Sequence, residues 1–249
     1  MDFDAIYAES NDPWSHHLRI SLKEYDQRYL RILKQHIKNS STILEIACGD
    51  GHFSEKLANH FVHSKIDACD ISTKAVEIAK KRFGSIVNFF VDKIPVLENL
   101  DQKYDLIILN EALSYLNDKD RELAVSRIRD LSKSGGYFFI SSNIGRNYFQ
   151  EDELISLIEL CYGKIVHFER NYNLIYYKIV EVPLLALISV INTMAKKYPW
   201  MKIVTGPVKF VFKYLLKNRL LFQMLQMMSK LFLGRRGITN IYILALRNE

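Results

Sequence analysis

Short apolar runs alternate with amphipathic stretches between residues 41 and 142 of this chain. Five runs have the length and composition of buried strands, and they cover 42–47, 65–70, 86–91, 104–109 and 137–142. Segments with helical spacing lie between them, at 52–60, 73–82 and 119–132. Strands that alternate with helices indicate right-handed β-α-β units and a parallel sheet. The pattern predicts an α/β fold, a Rossmann-like doubly wound sheet that binds ligands at the carboxyl ends of its strands.

The segments on either side of this core are also patterned. Residues 1–40 are predicted to form an N-terminal helical cap. After a helix at 151–160, a strand is expected over 164–181, bent around Asn171–Asn173, and a last strand over 239–247. The stretch 181–238 is predicted to be a helical insertion of two or three helices, broken near Pro199 and Gly206–Pro207. The expected domains are the cap at 1–40, the sheet domain at 41–180 and 239–249, and the insertion at 181–238.

Composition narrows the class of protein. Apolar residues make up 49% and charged residues 25% of the 249 residues, which is a globular balance. Three scattered cysteines favour neither a disulfide framework nor a zinc site, and no metal is predicted. The N-terminus lacks the apolar core of a secretory signal. The apolar stretch 174–194 is interrupted by Lys178 and Glu181, so no transmembrane helix is expected. We predict a cytoplasmic protein, with membrane association left open.

Charge is distributed unevenly along the chain. The net charge is +6, but residues 195–249 contain eleven Lys or Arg and one acidic residue. Lys209, Lys213 and Lys217 recur every four residues and share one face of a predicted helix. The insertion could be a lid packed on the domain, a surface for an anionic membrane or a lipid-linked substrate, or a nucleic-acid surface. It has few polar side chains for reading bases, so no nucleic-acid partner is predicted.

The strongest chemical signal is the segment ILEIACGDGHFSEKL at 43–57. A strand leads into a sharp turn in which Gly49 and Gly51 allow the backbone to approach a ligand closely, and Ala47 is small enough to stand where a glycine is common. The spacing fits neither a dinucleotide fingerprint nor a P-loop. Because the carboxylate of Glu45 would repel a pyrophosphate, the segment suits a ligand with a cationic amino-acid moiety.

Further acidic residues follow the next strands. Asp70 lies 19 residues after Gly51, where an acidic side chain binds ribose hydroxyls in Rossmann-type sites, with a helix-capping role as the alternative. Asp92 could accept a hydrogen bond from an adenine amine, while Lys93 and Ile94 would offer backbone amides and an apolar wall. A solvated loop carboxylate is the alternative for Asp92.

The fourth strand ends in LNEALSYL at 109–116, which brings polar side chains to the edge of the crevice. Asn110, Glu111 and Tyr115 are expected there, where substrate chemistry takes place. Glu111 could hold an amine substrate or accept its proton, and a helix-start role is equally compatible with its position. His16 is a candidate general base, although a surface or capping role is the commoner one for such a histidine.

Together these motifs resemble class I S-adenosylmethionine-dependent methyltransferases over about residues 1–150. A closer resemblance is to the nodulation-protein-S-like N-methyltransferases, through IYAESNDPWSHHLRISLKEYDQRYLRIL and DLIILNEALSYL. The resemblance implies a seven-stranded sheet and S-adenosylmethionine as cofactor. It implies that Trp14 and Tyr25 help to close over the cofactor, and that Glu111 and Tyr115 face the acceptor. The chain departs from the family at Ala47, at Asp26, where Glu is usual, and in the insertion.

The sequence therefore predicts a methyltransferase acting on an amine or hydroxyl of a small molecule, with an aminosugar or a lipid-linked saccharide as candidate acceptors. The predicted cofactor-binding residues are Trp14, Tyr25, Glu45, Ala47, Cys48, Gly49, Gly51, Phe53, Asp70, Ile71, Asp92, Lys93, Ile94, Asn110 and Glu111. The predicted catalytic residues are Glu111, Tyr115 and His16. The alternative is a non-catalytic binding or membrane-anchoring module with this fold. A base-directed nucleic-acid enzyme is disfavoured, because NEAL stands where such enzymes often carry N/D-P-P-aromatic.

Overall fold

A computed structural model describes residues 1–38, 41–145, 148–198 and 200–248, with the side chains of 201–205 outside the description. Seven strands form one sheet: β1 (Thr42–Ile46), β2 (Lys65–Asp70), β3 (Asn88–Val91), β4 (Tyr104–Asn110), β5 (Ser132–Asn143), β6 (Gly163–Tyr172) and β7 (Ile238–Arg247). Their order is β3-β2-β1-β4-β5-β7-β6. β1 to β5 pair in parallel, and β7 pairs antiparallel with β5. The predicted seven-stranded α/β fold is confirmed.

The helices of the described chain follow the strands as expected for this class of fold. Those before and within the sheet region are α1 (Phe3–Glu9), α2 (Ile20–His36), α3 (His52–His60), α4 (Thr73–Phe83), α5 (Asp118–Leu131) and α6 (Glu151–Cys161). Those between β6 and β7 are α7 (Leu174–Tyr176), α8 (Val182–Lys197), α9 (Met201–Leu216) and α10 (Arg219–Met228). A π-helical segment, Tyr177–Glu181, joins α7 to α8.

The central strands form the core because they are apolar on both faces. Leu44 of β1, Ile107 of β4 and Phe139 of β5 are completely buried. Continuous apolar strands of this kind occur where helices cover both sides of a parallel sheet. Ser72 caps α4, since its side chain accepts a hydrogen bond from the amide of Ala75 over 3.1 Å.

Two predicted boundaries in the C-terminal half are wrong. The strand expected over 164–181 ends at Tyr172, and the chain is helical from Leu174 onward. Its Tyr, Ile and Val residues suit strands, but Tyr176 and Val180, four residues apart, are both buried on one helical face. The break expected at Gly206–Pro207 also does not occur, because Pro207 lies inside α9. There the proline removes one backbone hydrogen bond without ending the helix.

A pair of glycines follows the helix before the apolar part of β5. α5 ends at Leu131, and Gly135 and Gly136 lie inside β5, where the register with β4 shifts. Gly135 has a φ of +68°, and a side chain on Gly136 would meet the carbonyl of Lys133. The pair therefore forms an irregularity in the strand.

The chain divides into two compact units. The first comprises Met1–Trp14, Arg28–Arg170 and Asn240–Glu249, and the second comprises Ser15–Gln27 and Asn171–Thr239. These units cut the chain at other positions than the domains expected from the sequence, which remain a prediction. The helices inserted between β6 and β7 belong to the second unit, as does the start of α2.

One helical run in the second unit is long and apolar enough to cross a membrane. It covers Leu174–Lys197, with a mean hydropathy of 2.0 in its most apolar window. No transmembrane helix was expected from the sequence, because Lys178 and Glu181 interrupt this stretch. In the structure Glu181 is fully buried and forms an ion pair with Arg19 of the same unit, so the run is anchored in protein at that point.

Candidate functional site

The turn after β1 has a left-handed backbone at three alternate positions. Ala47, Gly49 and Gly51 have φ values of +59°, +56° and +79°. The amide of Cys48 donates to the carbonyl of Cys69 over 3.0 Å, which ties the turn to the end of β2. Left-handed residues are disfavoured for side chains with a Cβ, and glycine adopts them without that cost. The positive φ at position 47 therefore explains why a glycine is often found there in turns of this kind.

The two glycines of the turn have different surroundings. A Cβ on Gly49 would lie 2.5 Å from the hydroxyl oxygen of Tyr7. A Cβ on Gly51 would lie 3.0–3.2 Å from Phe89, Ala79 and Phe83. Gly51 therefore allows α3 to start close to β3 and α4, and its approach to a ligand remains a prediction.

Asp70 at the end of β2 is directed toward this turn. One carboxylate oxygen accepts the amide of Gly49 and the other accepts the amide of Ser72, each over 2.9 Å. Burial raises the pKa of Asp70, and this effect outweighs the two amides, which lower it. The carboxylate is thus fixed between β1 and β2, where a ribose-binding acid was predicted. Ile71, the next residue, has an exposed apolar side chain.

Tyr7 of α1 lies beside the same turn and was not identified from the sequence. Trp14 donates a hydrogen bond to its hydroxyl, and burial followed by the charge of Asp70 raises the pKa of the phenol. α1 is attached to the start of α4, because the Asp4 carboxylate accepts the Ser72 hydroxyl over 2.6 Å. Trp14, predicted to help to close over a cofactor, is thus linked to the glycine turn through Tyr7. A tyrosine in a short helix gives no sequence signal that separates it from a core residue.

Three other predicted residues, Glu45, Phe53 and Cys48, are buried in or beside the turn. The buried Glu45 carboxylate accepts a hydrogen bond from the Ser54 hydroxyl, which joins β1 to the first turn of α3. Phe53 is buried and packs edge-to-face on Tyr29. Burial is the main effect that raises the pKa of the Cys48 thiol, and the negative charges of Glu45 and Asp70 raise it further. This thiol is therefore kept in its neutral form.

Asp92 organises the loop after β3. Its carboxylate accepts the amides of Lys93, Glu98 and Asn99 over 2.8, 3.2 and 2.9 Å. The Lys93 amide, expected to face a ligand, is thus bonded to Asp92. A carboxylate can accept about four hydrogen bonds, so the predicted contact with an adenine amine is still compatible with this arrangement. Ile94 is half-buried in the same loop.

Polar side chains from three strands meet at the end of β4. Glu111 has a φ of +57°, and its amide donates to the carbonyl of Ser141 over 3.0 Å. Its carboxylate accepts hydrogen bonds from the Ser141 hydroxyl, over 3.2 Å, and from the Asn240 amide. Asn240 in turn accepts the hydroxyl of Tyr29 over 3.3 Å, and the Ser141 hydroxyl also lies 3.1 Å from the side-chain oxygen of Asn110. We call Tyr29, Asn110, Glu111, Ser141 and Asn240 the Glu111 network.

Ser141 and Asn240 of this network were missed by sequence reasoning. Asn240 is 129 residues from Glu111 and approaches it because β7 pairs with β5 beside β4. Its one signal is a polar residue at the start of an otherwise apolar strand, TNIYILAL. Glu111, by contrast, lies where it was predicted.

Tyr115 lies close to Glu111, and its predicted role toward an acceptor remains a prediction. Burial is the main effect that raises the pKa of Tyr115. The neighbouring Tyr148 and Glu111 raise it further, which shows that the three side chains are close together. Its ring is half-exposed and packs edge-to-face on Phe3 of α1, with 5.4 Å between the ring centres. Tyr115 is thus positioned by the same helix that carries Tyr7.

Two predicted residues belong to the second compact unit. Tyr25 is buried in the first half of α2, and His16 is half-buried just before that helix. Their predicted roles toward a cofactor and an acceptor remain predictions. Among the described residues no group of His, Cys, Asp and Glu has the arrangement of a metal site.

Comparison with known proteins agrees with this geometry. Residues 43–136 match the methyltransferase domain family. The chain is 34% identical over 132 residues to malonyl-[acyl-carrier protein] O-methyltransferase 1 of Ilyobacter polytropus, covering 52% of this chain and 48% of the relative. It is 28% identical over 138 residues to nodulation protein S of Azorhizobium caulinodans, covering 54% and 64%.

Solved structures give the same fold. The N-methyltransferase NodS from Bradyrhizobium japonicum, in complex with S-adenosylhomocysteine, matches with a TM-score of 0.57 and 21% identity, covering 67% of this chain and 86% of that one. The resemblance to class I S-adenosylmethionine-dependent methyltransferases is confirmed at the level of the class. The chain spans about half the length of the malonyl-[acyl-carrier protein] relatives it matches.

Proposed function

We propose that this chain, which has the fold of a class I S-adenosylmethionine-dependent methyltransferase, transfers a methyl group from that cofactor to an amine. The observation that carries the proposal is the contact between the Asp70 carboxylate and the amide of Gly49, over 2.9 Å. It joins the two features that this fold uses to bind a nucleoside: a turn with a left-handed glycine and an acidic side chain at the next strand end.

The side chains around the turn fit an adenosyl amino acid. Asp70 would accept hydrogen bonds from the ribose hydroxyls, and the apolar Ile71 and Ile94 would lie along the adenine. Tyr7 and Trp14, beside Gly49, would bound the amino-acid end of the ligand. When bound, S-adenosylmethionine supplies an electrophilic methyl group on a sulfonium.

The acceptor is proposed to bind beside Glu111. A carboxylate fixed by Asn240 and Ser141 attracts a protonated amine and can take up the proton that the amine must lose before it acts as a nucleophile. The same charge disfavours a carboxylate acceptor, such as that implied by the names of the malonyl-[acyl-carrier protein] relatives. Glu111 does not discriminate between acceptors that differ away from the amine, so aminosugars and lipid-linked saccharides are both candidates. A hydroxyl acceptor is the second candidate.

Calorimetric titration with S-adenosylmethionine and S-adenosylhomocysteine tests the cofactor. We expect micromolar to sub-millimolar affinity, and no heat at millimolar cofactor would contradict the proposal. The acceptor is then tested by release of S-adenosylhomocysteine in a screen of aminosugars, phenols, carboxylic acids and lipid-linked glycans. Turnover restricted to carboxylic acids would contradict the amine assignment while leaving the cofactor assignment intact.

A further inference from the structure

The helices inserted between β6 and β7 are apolar on faces that do not pack against protein. More than half of the large hydrophobic side chains exposed by the described part of the chain lie between Val182 and Phe232, a fifth of the sequence. A surface helix of a soluble protein ordinarily has one apolar face toward the core and a polar face toward water. Exposed apolar surface on this scale usually marks an interaction site.

α10 and the residues after it show the pattern most directly. Phe222, Leu225 and Ser229 are buried on one face. The opposite face carries four apolar side chains at the spacing of a helical stripe: Leu220, Met224, Met227 and Leu231. The side chains of Leu220 and Leu231 are 79% and 69% exposed. We call these four residues the α10 stripe.

The two preceding helices repeat this arrangement. In α8, Ile188 and Ala195 are buried, while Leu187, Val190 and Met194 are exposed at helical spacing on another face. In α9, Leu216 is buried and Phe212 is half-buried, while Phe210, Val211 and Tyr214 are exposed. Phe210, only two residues from the half-buried Phe212, thus points to solvent. Trp200 and Tyr198, between these helices, are exposed as well.

The charge of the same segment has one sign. No Asp or Glu occurs from Val182 to Asn248, and Lys and Arg recur throughout. Lys196 and Lys197 end α8, and Lys213 and Lys217 lie on and just after α9, all exposed. Exposed apolar and aromatic side chains flanked by lysines, without acidic residues, are typical of helices that bind at the surface of an anionic bilayer.

We propose that α8, α9 and α10 form a membrane-binding surface that holds this protein on an anionic lipid bilayer. Apolar side chains enter the boundary between headgroups and acyl chains, and the lysines pair with anionic headgroups. The α10 stripe supplies apolar contact, and Lys196, Lys197, Lys213 and Lys217 supply electrostatic attraction. The binding is peripheral and needs no methyl acceptor.

The packing of the most apolar run argues against a membrane-spanning state. Only 22% of the most apolar window of the run Leu174–Lys197 is buried. The first third of the run, however, packs within the second unit. The Tyr176 ring is fully buried, packs edge-to-face on Phe222, and its hydroxyl donates to the carbonyl of Leu216 over 3.0 Å. Glu181 is fully buried in an ion pair with Arg19. To cross a bilayer, this run would have to abandon these contacts.

Co-sedimentation of the full chain with vesicles tests the proposal. We expect binding to phosphatidylcholine vesicles that contain phosphatidylglycerol, weaker binding to pure phosphatidylcholine, and weakening by salt. Replacing the α10 stripe by serine (Leu220→Ser, Met224→Ser, Met227→Ser, Leu231→Ser) should lower the partition coefficient about tenfold or more. Changing Lys196, Lys197, Lys213 and Lys217 to Gln should do the same for anionic vesicles and little for neutral ones.

Matched variants control for general loss of exposed apolar or basic side chains. The first unit exposes four apolar residues that can be changed together: Val62→Ser, Ile86→Ser, Leu123→Ser and Leu160→Ser. It also exposes Lys80, Lys81, Lys119 and Lys164 for a matched change to Gln. Both control sets should leave vesicle binding unchanged, and thermal unfolding should show that every variant is folded.

Several results would overturn the proposal. Full-length protein that stays in the supernatant with anionic vesicles removes the membrane as partner. A dimer in sedimentation equilibrium that the α10 stripe variant converts to monomer, without vesicle binding, assigns the surface to a second copy of the chain. Resistance to alkaline carbonate extraction from cell membranes indicates a spanning run. Each readout is obtained without methyl transfer, so this proposal and the proposed function can fail separately.

Discussion

The hydroxyl oxygen of Tyr7 lies so close to Gly49 that a Cβ on this glycine would be 2.5 Å from it. A methyl group cannot be accommodated at that distance unless the tyrosine moves. Gly49 also has a φ of +56°, which a side chain disfavours independently of its surroundings. Two separate effects, the contact with Tyr7 and the left-handed backbone, therefore disfavour a side chain at position 49, and each effect can be measured separately.

Gly49→Ala should lower the free energy of unfolding by more than the ~1–2 kcal/mol expected from left-handed backbone alone, and it should weaken cofactor binding. Gly135→Ala is the matched control, because Gly135 has a φ of +68° with no atom within 4 Å of the added Cβ. The difference between the two variants in urea unfolding measures the contact with Tyr7. Tyr7→Phe should recover part of it in the double variant, and equal losses at both glycines would contradict the close contact.

Ala47→Gly should stabilise the protein. Ala47 has a φ of +59°, which costs an alanine about 1–2 kcal/mol more than a glycine, while glycine loses up to about 1 kcal/mol of chain entropy. We expect a small net gain, which corresponds to about 2–4 °C in Tm for each kcal/mol in a chain of this size. Ala112→Gly is the control with the opposite expectation, because Ala112 has a φ of −98° and is buried. A lower Tm for Ala47→Gly would contradict the strain at this position.

Asp70→Asn should weaken binding of S-adenosylmethionine about 10- to 100-fold, the loss expected for a charge-assisted hydrogen bond. The affinity should also depend on pH. Burial raises the pKa of Asp70, so the carboxylate that we propose to bind ribose is present above this raised pKa, and affinity should be lost as the pH falls through it. Calorimetry at several pH values checks this, and Asp70→Asn should show a flatter profile.

The contribution of Asp70 to the stability of the fold should depend on pH in the opposite sense to its contribution to cofactor affinity. Because the pKa is higher in the native state than in the unfolded chain, the contribution of Asp70 to the free energy of unfolding is fully present below about pH 4 and declines as the pH rises through the native pKa. The difference in unfolding free energy between wild type and Asp70→Asn isolates this contribution. A difference that does not change with pH would contradict the raised pKa.

Glu111→Gln should reduce methyl transfer by about a hundredfold or more, the usual scale for a positioned acid-base group, while the Kd of S-adenosylmethionine changes less than about twofold. The amide keeps the size of the side chain and an oxygen that can accept from Asn240 and Ser141, so the fold should be retained. Glu98→Gln, in the exposed loop after β3, is the control and should leave turnover unchanged. Unaltered kcat and KM in Glu111→Gln would exclude Glu111 from the acceptor site.

The sequence predicted those parts of the fold and site that depend on local pattern. The β1 turn, Asp70 and Glu111 each follow a buried strand, and parallel strands bring their carboxyl ends to one edge. Asn240 and Tyr7 could not be identified, because their contacts with Glu111 and Gly49 depend on tertiary packing between distant segments. The helix from Leu174 was mistaken for a strand because its Tyr, Ile and Val residues fit either structure and its burial depends on packing within the second unit.

The strand order has a consequence for how the protein is made on the ribosome. β7 lies between β5 and β6, although it is the last of the seven strands to be synthesised. β6 is therefore translated well before its neighbour in the sheet exists, and all the helices of α7 to α10 emerge in the interval. During that time an apolar, basic segment accompanies an incomplete sheet edge, and such nascent chains are the ones for which chaperones matter most.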